Sequence, residues 1–220
     1  MTAGIQMLIL DFDGVLIESV DIKTRAFKTL FSFAPDRTEE ILDYHLVNAG
    51  VSRFEKFVHI HEHILKIPLT PERFTELSDR FSFLVIDEVV AAPYVWGAED
   101  FLKEYFTKIP LFVVSATPVD ELTRIIKKRG MSRYFSGIYG SPAKKSDNIR
   151  ILLAREKPDP SSVIYIGDAI NDWNAAQGAG IRFIGRVRPG TPNPFTGISG
   201  IEQVVSDMKE VLEYFRRMGC

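Results

Sequence analysis

The chain has 220 residues, 45% of them hydrophobic and 25% charged, with a formal net charge of -2. That composition describes an ordinary globular protein with one well-filled core, or a core and a small accessory domain, and excludes the strong basic field of a non-specific nucleic-acid binder. The single cysteine, Cys220, has no partner for an internal disulfide. The apolar N-terminal run is too short for a membrane span and lacks the basic flank of a signal peptide, so a cytoplasmic protein is expected.

In chain order, the first element is the apolar run Met7 to Leu10, which stops abruptly at Asp11-Phe12-Asp13-Gly14. About a hundred residues then intervene before the next such run, far more than a simple crossover needs. Most of them read as helix: from 71 to 90, Phe74, Leu77, Phe81, Leu84 and Val85 keep the spacing of one helical face, and 37 to 66 is similar apart from "NAGVS" at 48 to 52. Phe54, Phe57, Phe74 and Phe81 are expected in the core of this helical insertion.

After a helical pattern at 98 to 107, apolar runs recur at Leu111 to Val114, Val163 to Ile166 and Ile181 to Ile184, with a weaker one at Gly137 to Tyr139. Helical patterns at 118 to 129, 145 to 155, 171 to 178 and about 206 to 218 separate or follow them. Strands that need no polar alternation, alternating with helices, predict an α/β protein with a doubly wound parallel sheet. "GRVRPGTPNPFTGISG", 185 to 200, reads as loop. The expected division is a core of residues 1–17 and 93–220 with an inserted all-helical cap, 18–92, that acts as a lid.

In such a sheet the carboxyl ends of the strands share one edge, which is where ligands bind. The first strand ends in Asp11 and Asp13, the second in Ser115-Ala116-Thr117, the third in Gly167-Asp168 with Asp172 four residues on. Like charges 4 Å apart repel by about 4 kcal/mol even at an effective dielectric of 20, so a counter-charge is required. Oxygen-only donors point to a hard divalent cation, Mg²⁺ above others. Ser115 offers a hydroxyl and nearby backbone N–H groups to an anion, and either Lys144 or Lys145 could place an ammonium beside it.

"DFDGVLIES", "FVVSATP", "GSPAKK" and "YIGDAIND", in this order and on these elements, resemble the four motifs of the haloacid dehalogenase superfamily, in its helical-cap branch with phosphoglycolate phosphatases and β-phosphoglucomutases. The resemblance implies a phosphatase acting on a small phosphoester. Asp11 would be the nucleophile that forms an aspartyl-phosphate, and Asp13 the acid and base. Mg²⁺ would be held by Asp11, the Asp13 backbone carbonyl and Asp168, with Asp172 in support, and Ser115, Ala116 and Lys145 would hold phosphate. Counting from Pro142 by the family's pattern selects Lys145 over Lys144. The second acid, Asp13, separates the chain from the dehalogenases.

"NAGVSRFEKF", 48 to 57, resembles the substrate-recognition stretch of β-phosphoglucomutases, which makes Arg53 a candidate for a second phosphate or a carboxylate. Position 49 is Ala where those mutases carry lysine, and position 23 is Lys where they carry histidine. These departures favour a phosphatase over a sugar-phosphate mutase, with a non-catalytic binding module as a third reading. Lys23 and Arg53 are the cap's candidate substrate residues, and a monomer or homodimer is expected. "HIHEH", 59 to 63, reads as a polar helix face rather than a metal site, and "GISG" near 197 is too short for a dinucleotide loop.

Overall fold

Strand β1 (Met7–Leu10) forms the middle of a sheet because its side chains find apolar cover on both faces. The structure, a computed structural model, describes residues 4–219; Cys220 lies outside them. Beside β1 lie β2 (Leu111–Pro118) and β4 (Val163–Gly167), and beyond these β3 (Gly137–Ser141), β5 (Arg182–Arg186) and β6 (Gln203–Val205). The order is β3-β2-β1-β4-β5-β6, and every pairing is parallel.

Side chains alternate between two cores. Leu8, Leu10, Val113, Ile164 and Ile166 face α5 (Ala98–Tyr105), α6 (Val119–Lys128) and α9 (Met208–Arg217). Met7, Ile9, Phe112, Val114 and Tyr165 face α7 (Lys145–Glu156) and α8 (Ile170–Ala179). Each fully buried Leu, Ile or Val is worth about 1.5–3 kcal/mol, which explains why these strands read as unbroken apolar runs.

The insertion between β1 and β2 is helical, as expected: α1 (Val20–Leu30), α2 (Thr38–Val47), α3 (Arg53–His59) and α4 (Pro71–Ala91). Ser52 starts α3 by accepting the Phe54 N–H, and Thr70 starts α4 by accepting the Arg73 N–H, with Pro71 in the first turn. α3 widens into a π-helical turn over Ile60–Leu65, so the pattern read over 37 to 66 is three helical pieces. The four phenylalanines do pack together: Phe57 and Phe81 are buried, and Phe54 and Phe74 lie against each other at 5.4 Å. "HIHEH" is only partly a polar face. His59 stacks on Tyr44 at 4.0 Å, whereas His61 is buried.

The chain enters and leaves this cap side by side. The Glu18 N–H donates to the Pro93 carbonyl at 3.0 Å, and the Val95 N–H to that of Leu16 at 3.0 Å. Arg129, just beyond α6, donates to the carbonyls of Val89, Val90 and Ala92, giving partners to backbone groups that the end of α4 leaves open.

Two features of the sheet differ from what the sequence predicts. β2 continues past Val114, because an irregularity carries it on to pair Pro118 with Ser141, and Ser115 therefore lies within an irregular stretch of strand. β6 follows the loop as a three-residue edge strand where no strand is expected. No helix among the described residues is long and apolar enough to cross a membrane.

Gly97, at φ 81°, turns the chain into α5 directly beneath the start of α9, where the Trp96 carbonyl accepts the Met208 and Lys209 N–H groups. A Cβ there would run into the Lys209 backbone. Gly97→Ala is therefore expected to cost about 2 kcal/mol or more, from left-handed strain and the forced displacement of α9, read as a lower midpoint in chemical denaturation.

Candidate active site

The carboxyl edge of the sheet collects the acids. Asp11 follows the last residue of β1, Asp168 follows β4, and Asp172 sits in the first turn of α8. One carboxylate oxygen of each of Asp11, Asp168 and Asp172 lies within 4.8 Å of the other two. Gly14, at φ 72°, makes room for this, since a Cβ there would occupy the position of the Asp168 carboxylate.

The Lys145 ammonium, at the start of α7, lies between two of these acids, 2.7 Å from Asp11 and 2.5 Å from Asp172. It is 4% exposed, whereas Lys144 is exposed, so of the two lysines it is Lys145 that lies among the acids. Burial alone would push the Lys145 amine down, but Asp11 and Asp172 push it up further, and it stays charged.

Asp172 is fully saturated with donors: Lys145 and the Tyr165 hydroxyl on one oxygen, the Asp168 and Ala169 N–H groups on the other. It braces the site and has little capacity left for a ligand. Asp168 is its opposite. No described residue donates a hydrogen bond to its carboxylate, and burial, with Asp11 and Asp172 beside it, holds the carboxyl well above the usual range. Asp11 accepts the Phe12 N–H at 2.7 Å as well as Lys145. Burial raises it, Lys145 opposes, and Asp172 and Asp13 add to the rise, leaving it at about 6.

A carboxylate without a hydrogen-bond donor, Asp168, beside a second buried carboxylate, Asp11, is a donor set that suits a hard divalent cation. Asp11 and Asp168 fit that group, and Asp172 supports them. The Asp13 carboxylate lies outside this cluster. It accepts Ser19 Oγ at 2.6 Å and Thr117 Oγ1 at 2.9 Å, and pairs with Lys23. Burial alone would raise the Asp13 carboxyl, but the Lys23 charge and these hydrogen bonds outweigh it and hold it below its ordinary value.

Ser115, Ala116 and Thr117 border the same cavity as Asp11, Asp13 and Asp168, at the point where β2 breaks register. Ser115 Oγ accepts the Thr117 N–H at 3.2 Å. Lys23 reaches the site: besides Asp13 it donates to Thr117 Oγ1 at 2.7 Å. Arg53 also borders the cavity, but its guanidinium pairs with Glu121 of α6 and donates to Ser82 at 3.1 Å. Cap and core are further joined by Asn171, which donates to the Gly50 carbonyl at 2.7 Å.

Thr117, Ser19 and Tyr165 complete the site, although sequence reasoning does not single them out. Ser19 lies within "DFDGVLIES", Thr117 within "FVVSATP" and Tyr165 at the head of "YIGDAIND", where their hydroxyls are a signal, although Tyr165 otherwise reads as one more strand residue. The cap side of the cavity adds His45 and Lys56, which sequence alone leaves among ordinary helix residues.

The motifs and their geometry thus define a hydrolase site at the carboxyl edge of a capped α/β sheet. Residues 8–186 match the family of haloacid dehalogenase-like hydrolases, and the chain belongs to that family. Among curated relatives, a phosphoglycolate phosphatase of Psychrobacter arcticus is 29% identical over 192 residues, 82% of either chain. The pyrophosphatase PpaX of Listeria welshimeri is 27% identical over 188 residues, 81% of this chain and 82% of the relative. In structure, CbbY from Rhodobacter sphaeroides in complex with phosphate superposes with a TM-score of 0.75 at 22% identity, covering 94% of this chain and 96% of CbbY. A haloacid dehalogenase-like hydrolase from Streptococcus pneumoniae gives 0.72 at 20%, covering 96% and 98%. These two likenesses are of fold.

His45 makes a prediction about stability. Burial, then the charges of Lys56 and Lys23, push its imidazole from 6.5 down to about 3. The unfolded chain takes up this proton below pH 6.5 while the folded protein does not, so the contribution is complete above pH 6.5 and is lost as pH falls toward 3. The loss attributable to His45 is about 1 kcal/mol per pH unit. Denaturation curves from about pH 7 to 5 are expected to show a smaller decline for His45→Asn than for the wild type.

Proposed function

We propose that this hydrolase is a Mg²⁺-dependent phosphatase of small phosphorylated metabolites that works through an aspartyl-phosphate on Asp11. The observation that supports it above others is the contact of Lys145 with both Asp11 and Asp172, beside an Asp168 carboxylate without a hydrogen-bond donor.

Asp11 attacks phosphorus in line, the bond to the leaving oxygen breaks, and water then hydrolyses the acyl phosphate. Lys145 lowers the repulsion between the carboxylate and the incoming phosphoryl group. Asp13 gives a proton to the leaving oxygen and later takes one from water. Its pairing with Lys23 keeps it ionised, which suits the second step; the first requires Lys23 to release it as substrate enters and the freed carboxylate to take up a proton from solvent or from the entering phosphate. When bound by Asp11, Asp168 and the Asp13 carbonyl, Mg²⁺ supplies charge neutralisation at the phosphoryl oxygens. The Ser115 hydroxyl and the Ala116 backbone orient those oxygens.

Residues 18–92 serve as the lid, bending where Glu18 and Pro93 run side by side and closing through Arg53–Glu121 and Asn171–Gly50. The commitment of Arg53 to Glu121 favours this closing role over direct capture of a sugar phosphate, and so favours the phosphatase over the mutase. The substrates in the relatives' names, phosphoglycolate and pyrophosphate, both carry a second negative group, and they are the first compounds to try.

Phosphate release from phosphoglycolate, pyrophosphate, sugar phosphates and an aryl phosphate is expected with Mg²⁺ and abolished by a chelator. Asp11→Asn is expected to reduce kcat by about 10³-fold or more; undiminished release in that variant would reject Asp11 as nucleophile. A hexose 1-phosphate isomerised faster than it is hydrolysed would instead establish the mutase.

Metal binding has its own readout. Mg²⁺ at about 100 times its Kd adds about 2.7 kcal/mol of stability, a rise of several degrees in Tm for a chain this long. Asp168→Asn is expected to remove that rise, measured by thermal denaturation with and without Mg²⁺.

A further inference from the structure

Four cations approach the cavity, and three have an acid beside them: Lys145 with Asp11 and Asp172, Lys23 with Asp13, Arg53 with Glu121. Lys56, on the cap helix α3, has none among the described residues. It is 3% exposed and borders the same cavity as Asp11 and Asp13.

Its neighbour His45 cannot serve as the missing anion, and the hydrogen bonds around the ring show why. Thr24 Oγ1 donates to the Val20 carbonyl at 3.1 Å, so toward His45 Nε2, 3.3 Å away, it can only accept. The Nε2 therefore carries the imidazole proton, and Nδ1 is an acceptor. Stacking on Phe27 at 4.2 Å fixes the ring in this orientation. Lys56 donates to Nδ1 at 3.1 Å and to the His45 carbonyl at 3.0 Å, and its other contact is the face of the Phe27 ring, 5.6 Å away, so every partner it has among the described residues is neutral. Burial, with Lys23 and Lys145 nearby, lowers the Lys56 amine to about 7.

A buried ammonium held by neutral acceptors is costly to the fold unless an anion arrives. The core floor of the cavity is where the transferred phosphate sits if the phosphatase reading holds, and Lys56 lies on the cap side, toward the leaving group. We propose that Lys56 is a specificity residue that receives a second negative group, a carboxylate or a phosphate, carried on the leaving side of the phosphate monoester. This assigns to Lys56 the selective role that the sequence suggests for Arg53, whose guanidinium is held by Glu121 and Ser82. The substrate class is a small phosphoester with two anionic ends.

The test separates binding from turnover. In an Asp11→Asn background, calorimetry with Mg²⁺ compares phosphoglycolate, pyrophosphate and phenyl phosphate, which has no second anion. One of the first two is expected to bind about tenfold or more tightly than phenyl phosphate, and whichever does identifies the second group as carboxylate or phosphate. Adding Lys56→Met is expected to erase that preference, with a loss on the doubly anionic compound at least about tenfold larger than on phenyl phosphate, and Lys56→Arg to restore part of it.

Equal losses on all three compounds, or none on any, would overturn the assignment. Lys56→Met is expected to melt no lower than the wild type; a lower Tm with uniform loss of binding would mark a structural role and overturn it likewise. If the wild type releases phosphate from none of the three while the binding preference stands, the phosphatase reading fails and this one survives. If phosphate is released with a substrate preference indifferent to Lys56→Met, the phosphatase reading survives and the role given to Lys56 fails.

Discussion

The crowding of negative charge at one edge of the sheet is the constraint around which the rest of this molecule is arranged. Parallel strands bring Asp11 and Asp168 to the same edge whatever their distance in sequence, and the first turn of α8 adds Asp172. Lys145 offsets part of that charge, the Tyr165 hydroxyl and two backbone N–H groups steady Asp172, and a divalent cation suits what is left over. The result is one acid saturated with donors beside two, Asp11 and Asp168, that keep capacity for a divalent cation. Neighbouring carboxylates of the same chemistry thus come to differ through their burial, the charges beside them and the donors they accept.

The cap repeats this logic with opposite sign. It brings Lys23, Arg53 and Lys56 over an acidic floor, but each meets a different partner: an acid of the site, an acid of α6, and a neutral imidazole. The Arg53–Glu121 pair and the Asn171–Gly50 hydrogen bond join the helical insertion to the α/β core, so the two parts wall the cavity together. Ser82 strengthens the clasp by donating to the second Glu121 oxygen at 2.5 Å.

What the sequence reveals follows from how local each signal is. The central strands are legible because burial on both faces demands apolar runs, and the acids because each run stops at one. β6 escapes notice because Gln203-Val204-Val205 is short, lies at the sheet edge and follows a loop rich in Gly and Pro. The continuation of β2 to Pro118 depends on pairing with Ser141, a tertiary event without a local sign. In sequence, only resemblance chooses Lys145 over Lys144; in the folded protein Lys145 is the one that touches Asp11 and Asp172. Arg53 reads as a residue facing solvent or substrate because its partner, Glu121, is 68 positions away. Lys56 gives no signal, since a lysine's counter-ion, or lack of one, is a property of the packed protein.

The adjacency of the two segments that enter and leave the cap has a kinetic consequence. Pairing β1 with β2 through Leu8 and Leu111 closes a loop of about a hundred residues, an entropic toll of roughly 4 kcal/mol if that loop is featureless. Helices α1, α3 and α4 pack on one another through Phe27, Phe57 and Phe81, and an insertion that forms before the sheet would hold Glu18 and Pro93 together. The remaining closure, Leu8 to Glu18 and Pro93 to Leu111, then spans about thirty residues and costs roughly 1 kcal/mol less. The insertion that roofs the cavity thereby also acts as a folding splint for the sheet beneath it.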